Sequence, residues 1–252
     1  MPHLIDQIPG TLIIAHRGAS AHAPENTLAA FKMALDMGAD GIELDAKLTT
    51  DGRVVVIHDQ TVDRTTGAHG VVRQMSLAQL KALDAGSGFD LSYAHEPIPT
   101  LDEVFAAVGS RTLINVEITN YTSVLDALPD RICDLVIQYD LQEHIIFSSF
   151  HPLNLIRAKR RLPQVPVAIL TQPGPAGRML RGALGRLVAP RFIHPHYSDV
   201  TEAALAQEHQ HGRRVNAWTV DRPEDIRRLV SMGIDGIITD DTRLARQVME
   251  EK

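Results

Sequence analysis

Gly41-Ile42-Glu43-Leu44-Asp45-Ala46-Lys47-Leu48-Thr49-Thr50-Asp51-Gly52-Arg53-Val54-Val55-Val56-Ile57-His58-Asp59 carries two apolar runs separated by Thr-Asp-Gly. Asp-Gly between such runs is a strong short-range hairpin signal. The second run is therefore the return arm of one hairpin rather than an independent strand, and that choice sets the strand count. With the turn centred between Asp51 and Gly52, residues whose numbers sum to 103 face each other, so Asp45 is expected opposite His58. Glu43 and Asp45, two apart on a strand, share a face. One local element thus gathers two carboxylates and an imidazole. Like charges so placed are costly unless a cation or a proton joins them. Charge on the inner side of a strand also breaks the apolar pattern, which marks a functional site.

Upstream, 11–15 reads as a short buried strand ending in His16-Arg17-Gly18, and Asn26 as the cap of a helix that Gly38 stops. Downstream, residues 59–99 form a polar, turn-rich insertion expected to lie over the active-site face. From Thr100 a helix–strand alternation predicts strands at 112–118, 144–149, 166–170, 191–194, 213–219 and 235–239, with a helix over 122–139 between the first two. With those at 11 and 41 these make eight, and over about 250 residues that predicts an α/β chain folded as one (β/α)8 barrel domain spanning 1–252. A doubly wound open sheet would carry a Gly-rich phosphate turn after its first strand, and His16-Arg17-Gly18-Ala19-Ser20 does not fit that pattern.

Composition narrows the function classes. Of 252 residues, 44% are hydrophobic and 22% charged, as in a soluble globular protein, and the net charge of −6 disfavours nucleic acid as a partner. The single cysteine, Cys133, excludes an internal disulfide and reads as a small buried apolar residue. The N-terminus lacks signal-peptide character, and no apolar run approaches the roughly 18 residues of a membrane span. A cytoplasmic location without stable membrane insertion is the default expectation; the oligomeric state is left open.

Catalytic residues of such barrels sit at the C-terminal ends of the strands. There the chain places His16, Arg17, Glu43, Asp45, His58, Glu117, Ser148, Ser149, His194, Trp218 and Asp240. Glu43, Asp45 and Glu117 are three carboxylates from adjacent strands, an oxygen set suited to Mg²⁺, Ca²⁺ or Mn²⁺; the alternative is an ion-pair network with Arg17 and Lys47. His16 and His58 are the natural proton-transfer pair. Arg17 offers a planar fork for phosphate oxygens. Phe150 and Trp218 serve either as an apolar pocket wall or as core. His151, His194, His196, His209 and His211 are expected on loops or the surface. Arg178, Arg181 and Arg186 mark a basic amphipathic stretch, a solvated helix face or a lipid contact.

In order along the chain, His16-Arg17-Gly18, Pro24-Glu25-Asn26-Thr27, Glu43-Leu44-Asp45, Asp51-Gly52, His58-Asp59, Arg64-Thr65-Thr66-Gly67, Pro99-Thr100-Leu101, Glu117, Ser149-Phe150, Trp218-Thr219 and Gly236-Ile237-Ile238-Thr239-Asp240 together resemble the glycerophosphodiester phosphodiesterase family. The resemblance implies a (β/α)8 barrel and metal-dependent hydrolysis of a small glycerophosphodiester, such as glycerophosphocholine or glycerophosphoethanolamine, to an alcohol and glycerol 3-phosphate. It implies one divalent cation on Glu43, Asp45 and Glu117, acid–base work by His16 and His58, and phosphate contact by Arg17. One departure stands out. The family reads Glu-Ile-Lys on this strand, with the lysine near the phosphate, whereas this chain has Glu117-Ile118-Thr119. Thr119 therefore enters the expected substrate-binding set in place of a cation. Two other functions fit the same residues: a phosphodiesterase acting on lysophospholipids, and a phosphodiester-binding barrel of low activity.

Overall fold

The computed structural model describes residues 3–251, the side chains of residues 178, 180, 181 and 183–186 excepted. The order is β1 (Leu12–Ala15), α1 (Leu28–Asp36), β2 (Gly41–Leu48), β3 (Val54–Val56), α2 (Asp63–Thr66), α3 (Leu77–Lys81), α4 (Leu101–Val108), β4 (Leu113–Ile118), α5 (Leu128–Gln138), β5 (Ile145–Ser149), α6 (Pro152–Arg161), β6 (Val167–Thr171), α7 (Pro175–Val188), β7 (Phe192–Pro195), α8 (Glu202–Gln210), β8 (Arg214–Ala217), α9 (Pro223–Ser231), β9 (Gly236–Thr239) and α10 (Thr242–Glu250). The parallel strands run β1-β9-β8-β7-β6-β5-β4-β2, and pairing of β1 with β2 closes the ring. Eight parallel strands thus make the barrel. β3 stands outside it, antiparallel on β2, as the hairpin reading requires.

Strands buried on both faces read as continuous apolar runs, and here alternation sorts the two faces. Leu12, Ile14, Leu113, Ile146, Ala168, Phe192 and Ile238 fill the lower barrel interior. Residues of opposite parity, such as Ile42, Leu44, Ile114, Val116 and Ile193, pack outward in the larger cluster that includes Phe31, Val104, Ile132 and Leu155 of the helices. A small separate core of Val55, Ile57, Val62, Val72, Leu80, Ala85 and Ile98 underlies the excursion after β3.

Four local expectations are corrected. The hairpin register is Ala46↔Val56, Lys47↔Val55 and Leu48↔Val54, so facing numbers sum to 102. The loop holds three residues rather than two: the Thr49 N–H donates to the Arg53 carbonyl at 2.9 Å, and Gly52 takes φ +74°. Asp45 therefore faces Ile57, whose N–H it receives at 2.9 Å, and His58 lies beyond the ladder. Thr27, not Asn26, caps α1, its hydroxyl accepting from the Ala30 N–H at 3.2 Å. α5 starts only at Leu128, because residues 121–127 turn around Asp126, which Asn120 and Ser123 hold. His194 is fully buried on β7 rather than on a loop. Cys133 is buried as expected. Arg178, Arg181 and Arg186 fall in α7, and their side chains lie outside the described residues. Among the described residues no helix is long and apolar enough to cross a membrane.

Candidate active site

The turn after β1 places the first side chains. Gly18 sits at φ +83°, and a Cβ there would fall 2.7 Å from the Ala30 backbone. Glycine is required on both counts, and it lets α1 close on the turn. Arg17 itself holds φ +56° and Asn26 +58°, left-handed conformations that surrounding structure must enforce. The Arg17 N–H donates to Glu43 Oε2 at 3.1 Å. Its guanidinium donates to Glu25 at 3.0 Å and lies 3.3 Å from Asp45 Oδ2.

Inward parity on β2 and β4 brings the carboxylates together. Asp45 pairs with Glu117 in register, and Glu43 with Asn115. One oxygen from each of Glu43, Asp45 and Glu117 lies within 4.8 Å of the others. Asn26 Nδ2 donates to Asp45 Oδ2 at 2.9 Å, and the Tyr121 hydroxyl donates to Glu117. Glu43 Oε1 is buried and, among the described residues, has no hydrogen-bond partner. Burial, then Asp45 and Glu117, pushes the Glu43 carboxyl well above its ordinary value. Burial, then Asp45, pushes Glu117 up to about 8. The expected alternative of ion pairing with Arg17 and Lys47 does not neutralise the trio, because Arg17 is shared with Glu25 and Lys47 Nζ turns to the Thr119 hydroxyl at 2.7 Å. An uncompensated oxygen among three clustered acids fits a hard divalent cation.

Each expected imidazole is held at Nδ1 by a carboxylate. His16 Nδ1 meets Asp240 Oδ1 at 2.6 Å, and Asp240 also accepts from Ser20 at 3.0 Å. His58 Nδ1 meets Asp59 Oδ1 at 2.6 Å, while Arg64 binds Asp59 at 2.7 Å and Glu25 at 2.6 and 2.7 Å. The Arg64 hydrogen bond, outweighing the opposing effect of burial, holds Asp59 down at about 2. A carboxylate at Nδ1 keeps the proton there and leaves Nε2 as the exchanging nitrogen.

A cavity of about 690 Å³ opens over these groups. His16, Arg17, Glu43, His58, Glu117, Thr119, Phe150 and Trp218 all line it, as does Lys47. Asp45 lies beneath the lining, 1% exposed, and of the other residues expected at the strand ends Ser148, Ser149 and His194 are fully buried and Asp240 lies outside the lining. Phe150 and Trp218 form a wall rather than core: their rings meet edge to face at 5.6 Å, between Tyr121 on one side and His196 on the other. Sequence reasoning missed Asp240 and Asp59 as imidazole partners, Asn26 and Tyr121 as carboxylate partners, and the Glu25–Arg64 pair. Barrel closure was the available signal for Asp240, since it sets the ends of the first and last strands side by side.

Residues 16–244 match the model of the glycerophosphoryl diester phosphodiesterase family. The chain is 42% identical over 235 residues to a glycerophosphodiester phosphodiesterase of Caldanaerobacter subterraneus, covering 92% of this chain and 94% of that one. Its fold is similar to an Oleispira antarctica phosphodiesterase solved with the product sn-glycerol-3-phosphate (TM-score 0.88, 28% identity, 98% and 99% of the two chains). It is also similar to a glycerophosphodiester phosphodiesterase of Thermotoga maritima (TM-score 0.75, 27% identity, 96% and 99%). The match runs from His16 into the last helix and takes in every residue of the site described above, and by it the chain belongs to the glycerophosphoryl diester phosphodiesterase family.

Proposed function

We propose that this site hydrolyses small glycerophosphodiesters to an alcohol and sn-glycerol 3-phosphate, with a divalent cation on Glu43, Asp45 and Glu117 and with His16 and His58 as the proton-transfer pair. The observation that carries the reading is two imidazoles, each pinned at Nδ1 by its own aspartate, flanking a carboxylate trio in one cavity. Binding alone needs no such pair. The Oleispira relative, solved with sn-glycerol-3-phosphate, supports the product class.

When bound, Mg²⁺, Ca²⁺ or Mn²⁺ would offset charge on the phosphoryl oxygens. Arg17 binds one of those oxygens, oriented by Glu25 and Asp45. One histidine Nε2 takes a proton from the nucleophile and the other protonates the leaving alkoxide; with water as nucleophile this gives sn-glycerol 3-phosphate directly, and with the neighbouring glycerol hydroxyl it gives a cyclic phosphate that a water then opens, the two histidines exchanging roles. Phe150 and Trp218 give the carbon skeleton an apolar wall, and Thr119 lies at the phosphate side. Residues 59–99 cover the site's edge and supply Asp59 and Arg64.

The test uses metal-stripped protein against glycerophosphocholine, glycerophosphoethanolamine and a lysophospholipid, with Mg²⁺, Ca²⁺, Mn²⁺ or no ion, following open and cyclic phosphate products. Metal-dependent release from the short substrates is expected, and His16→Ala or His58→Ala should lower turnover by roughly 10²–10⁴. Preference for the lysophospholipid would move the reading to lipid substrates. Binding without turnover would replace it by a phosphodiester-binding barrel.

A further inference from the structure

We propose that Lys47 is the second phosphate-binding cation of the site, holding a non-bridging phosphoryl oxygen on the side of the carboxylates away from Arg17. This rests on the phosphodiesterase reading above. Lys47 continues the inward parity of Glu43 and Asp45, and the register that pairs Asp45 with Glu117 sets it beside Thr119. Its Nζ donates to Thr119 Oγ1 at 2.7 Å and approaches the Thr119 carbonyl at 3.4 Å. The Thr119 hydroxyl spends its own proton on the Ala46 carbonyl at 2.7 Å, so it only accepts from the ammonium. An ammonium has three N–H groups, and these contacts leave at least one for the cavity that Lys47 lines.

Lys47 is 5% exposed, and among the described residues no carboxylate forms an ion pair with it. A buried ammonium with only neutral partners is costly, and an anion arriving in the cavity removes that cost. By topology the two cations flank β2 from opposite sides: Arg17 follows β1, and Lys47 reaches β4.

The experiment measures sn-glycerol 3-phosphate binding by calorimetry to Mn²⁺-loaded protein, together with turnover of glycerophosphocholine. Lys47→Met, which keeps the apolar stem, should weaken binding about ten- to hundred-fold and raise KM more than it lowers kcat, because a hydrogen bond to a charged group is lost. Manganese affinity should stay equal or rise. The double exchange Lys47→Thr with Thr119→Lys, which returns the ammonium from the neighbouring strand, should restore product binding to within a few-fold. Unchanged product affinity in Lys47→Met overturns the proposal, as does loss of manganese affinity in its place, which would make Lys47 a partner of the trio. Should Lys47→Met fail to fold, the exchange decides, and failure to bind product in that folded variant overturns the proposal. If wild-type protein neither binds product nor turns over substrate, the phosphodiesterase reading itself falls.

Discussion

Removing metal and raising the pH should expose the electrostatic cost of the carboxylate trio. Glu117 is held at about 8 against an ordinary 4.5, by burial first and Asp45 second. Between those values the metal-free native state keeps a proton that the unfolded chain has released. The contribution of this group to stability is therefore complete below about 4.5 and is lost as pH rises through about 8. From pH 5 to pH 9 the loss is at most roughly 4 kcal/mol at ~1.4 kcal/mol per pH unit. Glu117 is only partly shielded from solvent, which screens the loss to roughly 2–3 kcal/mol. In a protein of 252 residues that is a fall of roughly 4–12 °C in Tm. Buried His194, pushed down to about 3 by burial, contributes with the opposite sign up to about pH 6.5, so the informative quantity is the difference between wild type and Glu117→Gln, in which His194 is common. The assay is thermal unfolding of both proteins after chelation, from pH 5 to pH 9, with and without saturating Mg²⁺, Ca²⁺ or Mn²⁺. Wild type should lose stability relative to Glu117→Gln as pH rises. A divalent ion at a hundred times its Kd should restore about 2.7 kcal/mol, more at pH 9 than at pH 5, where protons compete for the ligands. Parallel pH curves for the two proteins, with no greater gain from metal at pH 9, would refute the reasoning.

Asp240→Asn removes the carboxylate from His16 Nδ1 and should lower kcat roughly 10–100-fold with little change in KM; wild-type kcat would dismiss Asp240 as an orienting group. Gly18→Ala meets both a left-handed φ and the Ala30 backbone at 2.7 Å, so urea unfolding should show a loss of roughly 2–4 kcal/mol. Gly52→Ala has the same sign of φ but open space around it and should cost only about 1 kcal/mol; equal losses at the two positions would show that the contact with α1 does not matter.

The barrel was legible because its evidence is local. Asp51-Gly52 marks a turn whatever the rest of the chain does, and demoting residues 54–56 to a return arm left eight strands, which the ring confirms. The register was not legible, because a two-residue and a three-residue loop look alike around Asp-Gly, and one residue of difference moves His58 off Asp45. Asn26 and Thr27 are adjacent and both are good caps, so nothing local says that Thr27 caps α1 while Asn26 turns to Asp45. Parity alone would have placed His194 inside, two residues beyond Phe192 on the same strand face, and set Lys47 beside Thr119. The pairs His16–Asp240 and Glu25–Arg64 join residues 224 and 39 positions apart; only the closed ring and the fold of the excursion after β3 bring them into contact.

The division of labour among elements follows from what each group costs to hold. Three carboxylates within 4.8 Å repel one another, and a flexible support would let them part. They stand on β2 and β4, whose ladder runs in register for six residue pairs and leaves the side chains little freedom to separate. On the proposed mechanism the imidazoles have the opposite requirement, since a proton donor and a proton acceptor must reach different sides of one phosphorus. They come from turns after β1 and β3, and each is fixed by a single aspartate rather than by a strand. Rigid repulsion and adjustable proton transfer meet at Arg17, whose left-handed backbone donates to Glu43 while its side chain joins Asp45 to Glu25 and so, through Arg64 and Asp59, to His58. Loss of the Arg17 side chain would therefore loosen the carboxylates and one imidazole together, whereas loss of Lys47 would leave that chain of contacts intact and remove only the proposed phosphate contact.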